Sequence, residues 1–190
     1  MKKNIFIISG PSGSGQDSAI EGLREHFEIE RVITSTTRAM RQNEKQGDPY
    51  YFISKEEFRD KIKNNAFFEY ACEYNNNYYG VTRTEINRAM NSGKIAIWRI
   101  EYKGVITAKK HFPDITAILI NAPLEILEER IRKRDNASDE FIAERMAYTR
   151  EFLQHKDLYD YEVTNEQGKL ADTIQKIANI INKIQNNENN

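Results

Sequence analysis

A glycine-rich run sets the architecture of this chain: Gly10-Pro11-Ser12-Gly13-Ser14-Gly15-Gln16-Asp17-Ser18. It follows an apolar run at 5–8 and precedes apolar residues at helical spacing, namely Ile20, Leu23 and Phe27. A short continuous apolar run is typical of a buried parallel strand, and glycines let the backbone wrap round an anion at a helix N-terminus. The order strand, glycine loop, helix therefore predicts a phosphate-binding site over the whole of 10–18.

The spacing from Gly10 to Gly15 fits the phosphate-binding P-loop, G-x-x-x-x-G-K-[ST]. The next two residues depart from that pattern, since Gln16 stands where the lysine belongs and Asp17 where the magnesium-binding hydroxyl belongs. The loop geometry is therefore predicted, while the cation that should bind phosphate is missing from its usual position.

The composition limits the class of protein. With 190 residues, of which 39% are hydrophobic and 30% charged, the chain fits one globular domain with room for a small inserted module. The net charge of -1 gives no general attraction for nucleic acid or an anionic membrane, so any polyanion site must be local. Nothing in the sequence indicates an oligomeric state.

The sequence also carries signals about the compartment. A single cysteine, Cys72, excludes an intrachain disulfide and suits a reducing cytosol, and we interpret it as a half-buried strand residue. The N-terminal residues run straight into the first predicted strand, and no apolar stretch approaches transmembrane length. We therefore expect a cytoplasmic protein.

Alternating strand and helix patterns predict an α/β fold with a parallel core sheet flanked by helices. Core strands are expected at about 4–9, 31–34, 94–100, 115–120 and 161–164, and helices at about 17–27, 83–90, 123–134, 138–153 and 170–184, with a frayed tail to 190. Residues 35–82 interrupt this order with aromatic, strand-like segments bounded by turn residues, which predicts a small β-rich insert. The core then comprises 1–34 and 83–190.

A longer series of residues resembles the guanylate kinase family over nearly the whole chain. The series reads Thr36-Thr37-Arg38-x-x-Arg41-x-x-Glu44, Tyr50-x-Phe52, Phe68-Glu69-Tyr70-Ala71, Asn77-Tyr78-Tyr79-Gly80, Arg134, Arg145 and Asp160-Tyr161 leading to Asn165. The resemblance implies a P-loop nucleotide kinase fold with a nucleoside-monophosphate-binding insert and a lid. It also implies transfer of the γ-phosphoryl group of ATP to GMP, with Mg²⁺ accompanying ATP.

The resemblance implies roles for the acceptor residues. Arg38, Arg41, Tyr50 and Tyr79 would hold the phosphate of GMP, because guanidinium and phenol groups are good donors to oxyanions. Glu69 would accept from the ring N–H and the amino group of guanine. Further GMP-site positions implied by the resemblance are Ser35, Glu44, Val81 and Glu101.

A basic helix end followed by a polar break predicts the lid at about 132–145. By the resemblance, Arg134 and Arg145 would close on the donor triphosphate and act in catalysis, and Asn165 would lie near the adenine. We interpret the other basic residues of this helix end as solvated charges that favour the helix dipole, namely Arg130, Arg132 and Lys133.

Several positions depart from the family pattern besides Gln16 and Asp17. Val81 stands where the family has a serine or threonine that touches guanine, and Arg99 and Glu101 replace two aspartates at the end of the core strand. The missing hydroxyl weakens strict guanine selection, because losing a hydrogen bond to a base edge costs on the order of 1 kcal/mol.

Two hypotheses address the altered loop. Asp17 would be a magnesium ligand, since a carboxylate is a hard oxygen donor, although an aspartate in a first helical turn is also favourable in itself. Arg99 would act in catalysis by supplying the cation that Gln16 lacks, because strand ends in such sheets face one crevice. Alternatively, Arg99 pairs only with Glu101 or another neighbouring acid.

Three functions fit these residues. The first is an ATP-dependent kinase for GMP, and the second is an inactive guanylate kinase-like module that binds nucleotide or protein. The third is a kinase for another acceptor such as a phosphorylated ribose, since Gly15-x-Asp17-Ser18 also resembles a ribose bisphosphate phosphokinase branch. That branch does not explain Glu69 or the run at 77–80. We favour the first function, because a scaffold has no physical need to keep a full set of phosphate donors.

Overall fold

The computed structural model describes residues 4–42, 44–72, 76–135 and 138–186. The expected fraying at 187–190 and part of the polar break, 136–137, lie outside these ranges. The strands are β1 Ile5–Ser9, β2 Ile29–Val32, β3 Thr34–Thr36, β4 Lys45–Gln46, β5 Pro49–Phe52, β6 Phe67–Cys72, β7 Tyr78–Thr82, β8 Ile95–Arg99, β9 Thr116–Asn121 and β10 Tyr161–Thr164. The helices are α1 Gln16–Gly22, α2 Lys55–Lys63, α3 Arg83–Met90, α4 Tyr102–His111, α5 Leu124–Asp135, α6 Asp139–Leu153 and α7 Leu170–Asn186.

A parallel sheet of order β10-β9-β1-β8-β2 forms the core, which confirms the predicted α/β fold. Successive side chains of a strand point to opposite faces, so β1 is buried on both sides. Phe6 and Ile8 pack in the same apolar cluster as residues of α1 and α7, whereas Ile5 and Ile7 pack with residues of α3 and α4. The strand order thus places β1 at the centre of the sheet, between two helix layers. Its carboxyl end leads into the glycine loop.

The second sheet has the order β4-β5-β3-β7-β6 and mixes parallel with antiparallel pairs. Helix α2 begins where the Ser54 side chain accepts from the Glu57 N–H at 3.0 Å, as an N-cap does. Phe58 of α2 stacks on Phe67 of β6 with ring centroids 4.2 Å apart, and the ring centroid of Tyr78 lies 5.3 Å from that of Phe58. Aromatic packing therefore holds α2 against the second sheet.

The expected strand at 31–34 is wrong in its bounds, because two strands on different sheets meet there. β2 ends at Val32 in the core sheet, and β3 begins at Thr34 in the second sheet. Ile33 lies between them, and its N–H donates to the buried carboxylate of Glu85 at 2.8 Å. An apolar and β-branched run continues through this crossing, so the sequence pattern does not mark it.

Two further expectations need correction. Helix α1 ends at Gly22 and continues as a 3-10 turn over Leu23–Glu25, so it is shorter than the expected 17–27. Cys72 is exposed rather than half-buried, because it is the last residue of β6, an edge strand of the second sheet. Within the described ranges, no helix is both long and apolar enough to cross a membrane.

Candidate functional site

A crevice of about 490 Å³ lies where the carboxyl ends of β1 and β8 face the second sheet, the position at which open α/β sheets bind ligands. The whole glycine loop, 10–18, forms one wall. The other predicted residues that line the crevice are Arg38, Arg41, Tyr50, Glu69, Tyr79, Arg99, Glu101, Arg134 and Arg145. The structure thus brings the glycine loop, the predicted acceptor residues and the arginines of the predicted lid to one cavity.

Four predicted site residues do not line this crevice. Ser35 is buried in β3 between β5 and β7, and Val81 is fully buried in an apolar cluster with Trp98. Glu44 bonds to Arg38 and Asn165 bonds to the Ser14 backbone, and both of these partners line the crevice. The structure therefore does not place Ser35 or Val81 on the crevice, whereas Glu44 and Asn165 each bond to a residue that lines it.

The glycine loop has a conformation that only glycine adopts easily. Gly13 and Gly15 have φ angles of 84° and 89°, and a Cβ on Gly15 would lie 2.4 Å from Nδ2 of Asn165. Asn165 donates from that nitrogen to the Ser14 carbonyl at 2.8 Å and accepts at Oδ1 from the Thr173 hydroxyl at 3.2 Å. Asn165 therefore supports the loop from behind and lines a second crevice of about 230 Å³ beside it.

Arg130 is a functional candidate that the sequence interpretation missed. Its guanidinium donates to the carbonyl oxygens of Gly13 and Asn165, each at 3.2 Å, and it lines both crevices. The interpretation of Arg130 as a solvated charge is therefore wrong, whereas Arg132 pairs at the surface with Glu128 and Asp139 as expected. The available signal was spacing, because residues four apart on a helix share a face and Arg130 lies four before Arg134.

Arg99 joins the glycine loop to the second sheet. Its Nε donates to Oε1 of Gln16 at 3.0 Å, and one terminal nitrogen donates to the Tyr50 hydroxyl at 2.7 Å. Arginine has no acceptor, so the oxygen of the Gln16 amide must face it and the amide nitrogen then donates to the Gly10 carbonyl. Arg99 pairs with Ile8 across the sheet, and this register carries its side chain to the loop that follows β1.

Asp17 lies between two arginines. Its Oδ1 is 2.9 Å from a terminal nitrogen of Arg31 and 3.4 Å from Nε of Arg99. Burial would raise the pKa of Asp17, but Arg99 and then Arg31 outweigh it and hold that pKa below its ordinary value. Nearby Tyr50 and Asp17 raise the pKa of Arg99, and together they outweigh burial, which lowers it. Both groups are therefore charged at neutral pH.

The residues beside the loop fit a magnesium ion that arrives with a nucleotide. Among the described residues, no group of three or more His, Cys, Asp or Glu side chains could hold a metal. Magnesium in such sites is usually held by one or two carboxylates together with substrate phosphates and water. The ionised Asp17, in the loop and with its side chain 58% exposed, supplies such a carboxylate.

Arg38 is fixed by its neighbours on the acceptor side. One terminal nitrogen donates to both carboxylate oxygens of Glu44, at 2.7 and 2.9 Å, and the guanidinium carbon lies 5.5 Å from the centre of the Tyr50 ring. Glu44 also accepts from the Arg41 N–H at 2.8 Å. Burial would raise the pKa of Glu44, but the hydrogen bonds from Arg38 and Arg41 lower it below its ordinary value. Glu44 therefore positions Arg38.

Glu69, on β6, is a buried carboxylate that lines the crevice. A Cβ on Gly104, near the start of α4, would lie 3.3 Å from Oε2 of Glu69, so the glycine leaves room for this carboxylate. Glu101 accepts a hydrogen bond from the Tyr148 hydroxyl nearby. Ala71 of the quoted motif also lines the crevice, together with residues that no sequence motif marks: Thr34, Ile100, Lys103 and Gly104.

The expected lid at about 132–145 comprises the end of α5 and the start of α6. Arg134 donates to the Ser12 hydroxyl at 3.1 Å and pairs with Asp135 at 2.7 Å. The guanidinium carbon of Arg145 lies 5.2 Å from the centre of the Phe141 ring. Both arginines therefore present positive charge to the crevice.

Comparisons with known proteins agree on one family. The profile of the family described as guanylate kinase matches residues 2–184. Two proteins named guanylate kinase are similar to this chain. The one from Idiomarina loihiensis is 40% identical over 167 residues, which are 86% of this chain and 79% of that protein. The one from Clostridium tetani is 37% identical over 183 residues, which are 95% of this chain and 86% of that protein.

Solved structures give the same result for the fold. The crystal structure of guanylate kinase from Anaplasma phagocytophilum superposes with a TM-score of 0.73 at 27% identity, and the match covers 95% of this chain and 85% of that one. Shikimate kinase from Acinetobacter baumannii, at a TM-score of 0.50, 14% identity and coverage of 94% and 93%, shares the fold alone.

Proposed function

The chain belongs to the guanylate kinase family, and we propose that it carries out ATP-dependent phosphorylation of GMP in the crevice between its two sheets. The observation that supports this site is the meeting of three sets of phosphate donors on one cavity. These are the glycine loop, the acceptor residues of the second sheet and the arginines of α5 and α6.

The reaction needs charge neutralisation more than proton transfer. The bond between the γ-phosphorus of ATP and the oxygen that bridges to the β-phosphate breaks, and an oxygen of the GMP phosphate forms a new bond to that phosphorus. The products are ADP and GDP. The second pKa of a phosphate monoester is about 6, so the GMP phosphate is already an anion at neutral pH and no side chain has to remove a proton. Catalysis therefore depends on positioning and on stabilising charge.

The donor triphosphate would lie against the loop backbone, with Arg134 and Arg145 over it. Residues 132–145 are the proposed lid. Magnesium bound with ATP would neutralise charge on the phosphate oxygens, and Asp17 would help to hold it. Arg130 and Asn165 would keep the loop in its phosphate-binding conformation, since each bonds to a loop carbonyl.

The acceptor would lie against residues 35–82, the proposed GMP-binding insert. Arg38, Arg41, Tyr50 and Tyr79 would bind its phosphate, and Glu69 would accept from the ring N–H and amino group of guanine. Adenine presents a lone pair instead of an N–H at the corresponding ring position. A carboxylate that faces this lone pair gains no hydrogen bond from the base and repels the lone pair, so Glu69 favours guanine without help from Val81.

A coupled ADP-release assay with a panel of acceptors tests this function. We expect GMP to give a kcat/KM at least about 100-fold above that of AMP, because a site built to bond an N–H rejects a base that lacks it. Titration calorimetry with GMP separates the alternatives. GMP binding without ADP release would indicate an inactive binding module, and absence of GMP binding at millimolar concentrations would contradict the acceptor site. Higher activity with a ribose phosphate would assign a different acceptor.

Asp17→Asn is expected to raise the Mg²⁺ concentration that gives half-maximal activity by roughly tenfold at saturating ATP, because it removes a charged metal ligand. The measurement is a magnesium titration of initial rates. Arg24→Ala is the control, since it removes an arginine that pairs at the surface with Glu21 and does not line the crevice, and its magnesium dependence should match that of the wild type. An unchanged magnesium dependence in Asp17→Asn would contradict the metal role and limit the carboxylate to its arginine pairs and the helix dipole.

A further inference from the structure

We infer that Arg99 supplies the phosphate-binding cation that the glycine loop lacks, and that it contacts the transferring phosphoryl group between donor and acceptor. The inference rests on the proposed phosphoryl transfer and identifies a residue outside the loop that acts in it. A P-loop normally carries its cation as a lysine, which reaches the β- and γ-phosphates. Here the corresponding side chain is the neutral amide of Gln16.

The backbone delivers Arg99 to the required place. Arg99 ends β8 beside Ile8, and the loop begins two residues after Ile8 at Gly10. The guanidinium contacts Gln16 in the loop on one side and Tyr50 of the second sheet on the other. Its side chain is 32% exposed and lines the crevice, so a ligand in the crevice can reach it. This position lies between the donor wall and the acceptor wall.

Gln16 serves to hold the arginine rather than to bind phosphate. Its amide nitrogen donates to the Gly10 carbonyl, and its amide oxygen accepts from Arg99. Both polar ends of the side chain are thereby engaged within the protein. The cation of this site is therefore carried by residue 99, and the residue at the usual lysine position fixes it against the loop.

The positive charge of Arg99 remains available for a phosphate. Its two hydrogen bonds go to the amide oxygen of Gln16 and the hydroxyl oxygen of Tyr50, rather than to a carboxylate. Asp17 is the acid nearest to it, at 3.4 Å, but Asp17 is paired more closely with Arg31, at 2.9 Å. Among the described residues, no hydrogen bond engages the second terminal nitrogen of Arg99. A planar guanidinium held in this way can donate to phosphate oxygens.

The alternative is that Arg99 only forms a structural pair with Glu101 or another neighbouring acid. Asp17, at 3.4 Å, is such an acid, but it is paired more closely with Arg31. Glu101 is exposed, and its carboxylate accepts from the Tyr148 hydroxyl, whereas the hydrogen bonds of Arg99 run to the loop and to Tyr50. The contacts of Arg99 therefore point into the crevice between the nucleotide sites.

The test compares four purified proteins: wild type, Arg99→Ala, Arg99→Ala with Gln16→Lys, and Arg24→Ala. Steady-state kinetics with ATP and GMP give kcat and both KM values, calorimetry gives the affinity for ATP, and thermal melting checks the fold. We expect Arg99→Ala to lower kcat about 100-fold, the size of effect seen when one transition-state donor is removed. The kcat of the double variant should be at least about tenfold above that of Arg99→Ala, because lysine returns a cation to the loop.

Arg24→Ala controls for the loss of one arginine outside the crevice, and its kcat should stay within about threefold of the wild type, because Arg24 pairs at the surface with Glu21. If Arg99→Ala does not fold, Arg99→Lys replaces it and should keep the charge with reduced kcat. The inference is overturned if Arg99→Ala keeps a third or more of the wild-type kcat, or if the double variant is no more active than the single one.

A failure of the proposed function would look different. In that case the wild type itself would release no ADP with GMP, whereas the role of Arg99 would still be visible in the affinity for ATP. That affinity should fall about tenfold in Arg99→Ala, since a charge-assisted contact is lost, and rise again in the double variant. Unchanged ATP affinity in such an inactive protein would overturn the inference as well.

Discussion

Replacing Arg134 and Arg145 together with alanine is expected to lower kcat by about 10³-fold, because arginines aimed at a transferring phosphoryl group supply effects of this size or larger. Arg134 reaches the loop at the Ser12 hydroxyl, and Arg145 lies along the Phe141 ring on the opposite helix. Charge on the phosphoryl group spreads over its oxygens in the transition state, so two converging cations act there more than on the bound substrates. The KM for GMP should change little.

Arg132→Ala provides the matched control for that double variant. It removes an arginine from the same helix, but Arg132 is paired at the surface with Glu128 and Asp139 and does not line the crevice. Its kcat should stay within about twofold of the wild type, because exposed ion pairs contribute about 0–1 kcal/mol. A loss below tenfold in the double variant would contradict the assignment of these arginines to the transferring group. The single variants need not add, since both would contact the same charge.

Arg38→Ala is expected to lower kcat/KM for GMP by about 500-fold, within the range for truncating one partner of a hydrogen-bonded charge pair. Arg38 is a predicted phosphate contact, and its removal also leaves Glu44, 13% exposed, without the guanidinium that it accepts from. The free energy of unfolding should fall by about 1–3 kcal/mol as a result. Steady-state kinetics and urea denaturation measure the two effects separately.

Adding Glu44→Gln to Arg38→Ala distinguishes the two roles of the arginine. The amide removes the stranded charge, so stability should recover while the GMP defect persists. If kcat/KM recovers as well, Arg38 does not contact the substrate. The pKa of Glu44 lies below its ordinary value of 4.5, so the pair stabilises the fold above that pH and loses its contribution as the pH falls through the folded pKa. The double variant should therefore lose less stability in acid than the wild type.

The parts of the fold that the sequence predicts are those with strong local patterns. β1, the glycine loop and α1 follow from an apolar run, glycine spacing and helical periodicity, all within the first 27 residues. The sheet crossing at Ile33 could not be predicted in this way, because it depends on a hydrogen bond to Glu85, far along the chain. Apolar patterning records whether a strand is buried but not which sheet it joins.

For the site as well, the sequence predicts some residues correctly and not others. The family resemblance gave the residues that face the crevice, such as Arg38 and Glu69, but not which residues stand one layer behind them, such as Val81 and Glu44. A basic residue at a helix end can be a solvated charge or a contact to a neighbouring loop. The sequence does not distinguish these two for Arg130, which donates to the Gly13 carbonyl. The proximity of Arg99 to the loop was predictable, because parallel strands place their carboxyl ends together.

The hydrogen bond between Gln16 and Arg99 has an evolutionary consequence. A lysine at 16 in the present chain would place an ammonium close to Arg99, whose Nε now lies 3.0 Å from Oε1 of Gln16. Two like charges about 4 Å apart repel by roughly 4 kcal/mol at the effective dielectric constant near a protein surface. The same substitution would be harmful while arginine occupies position 99 and beneficial after its loss. In either order, a change between the two arrangements by these substitutions would therefore pass through a less active single variant.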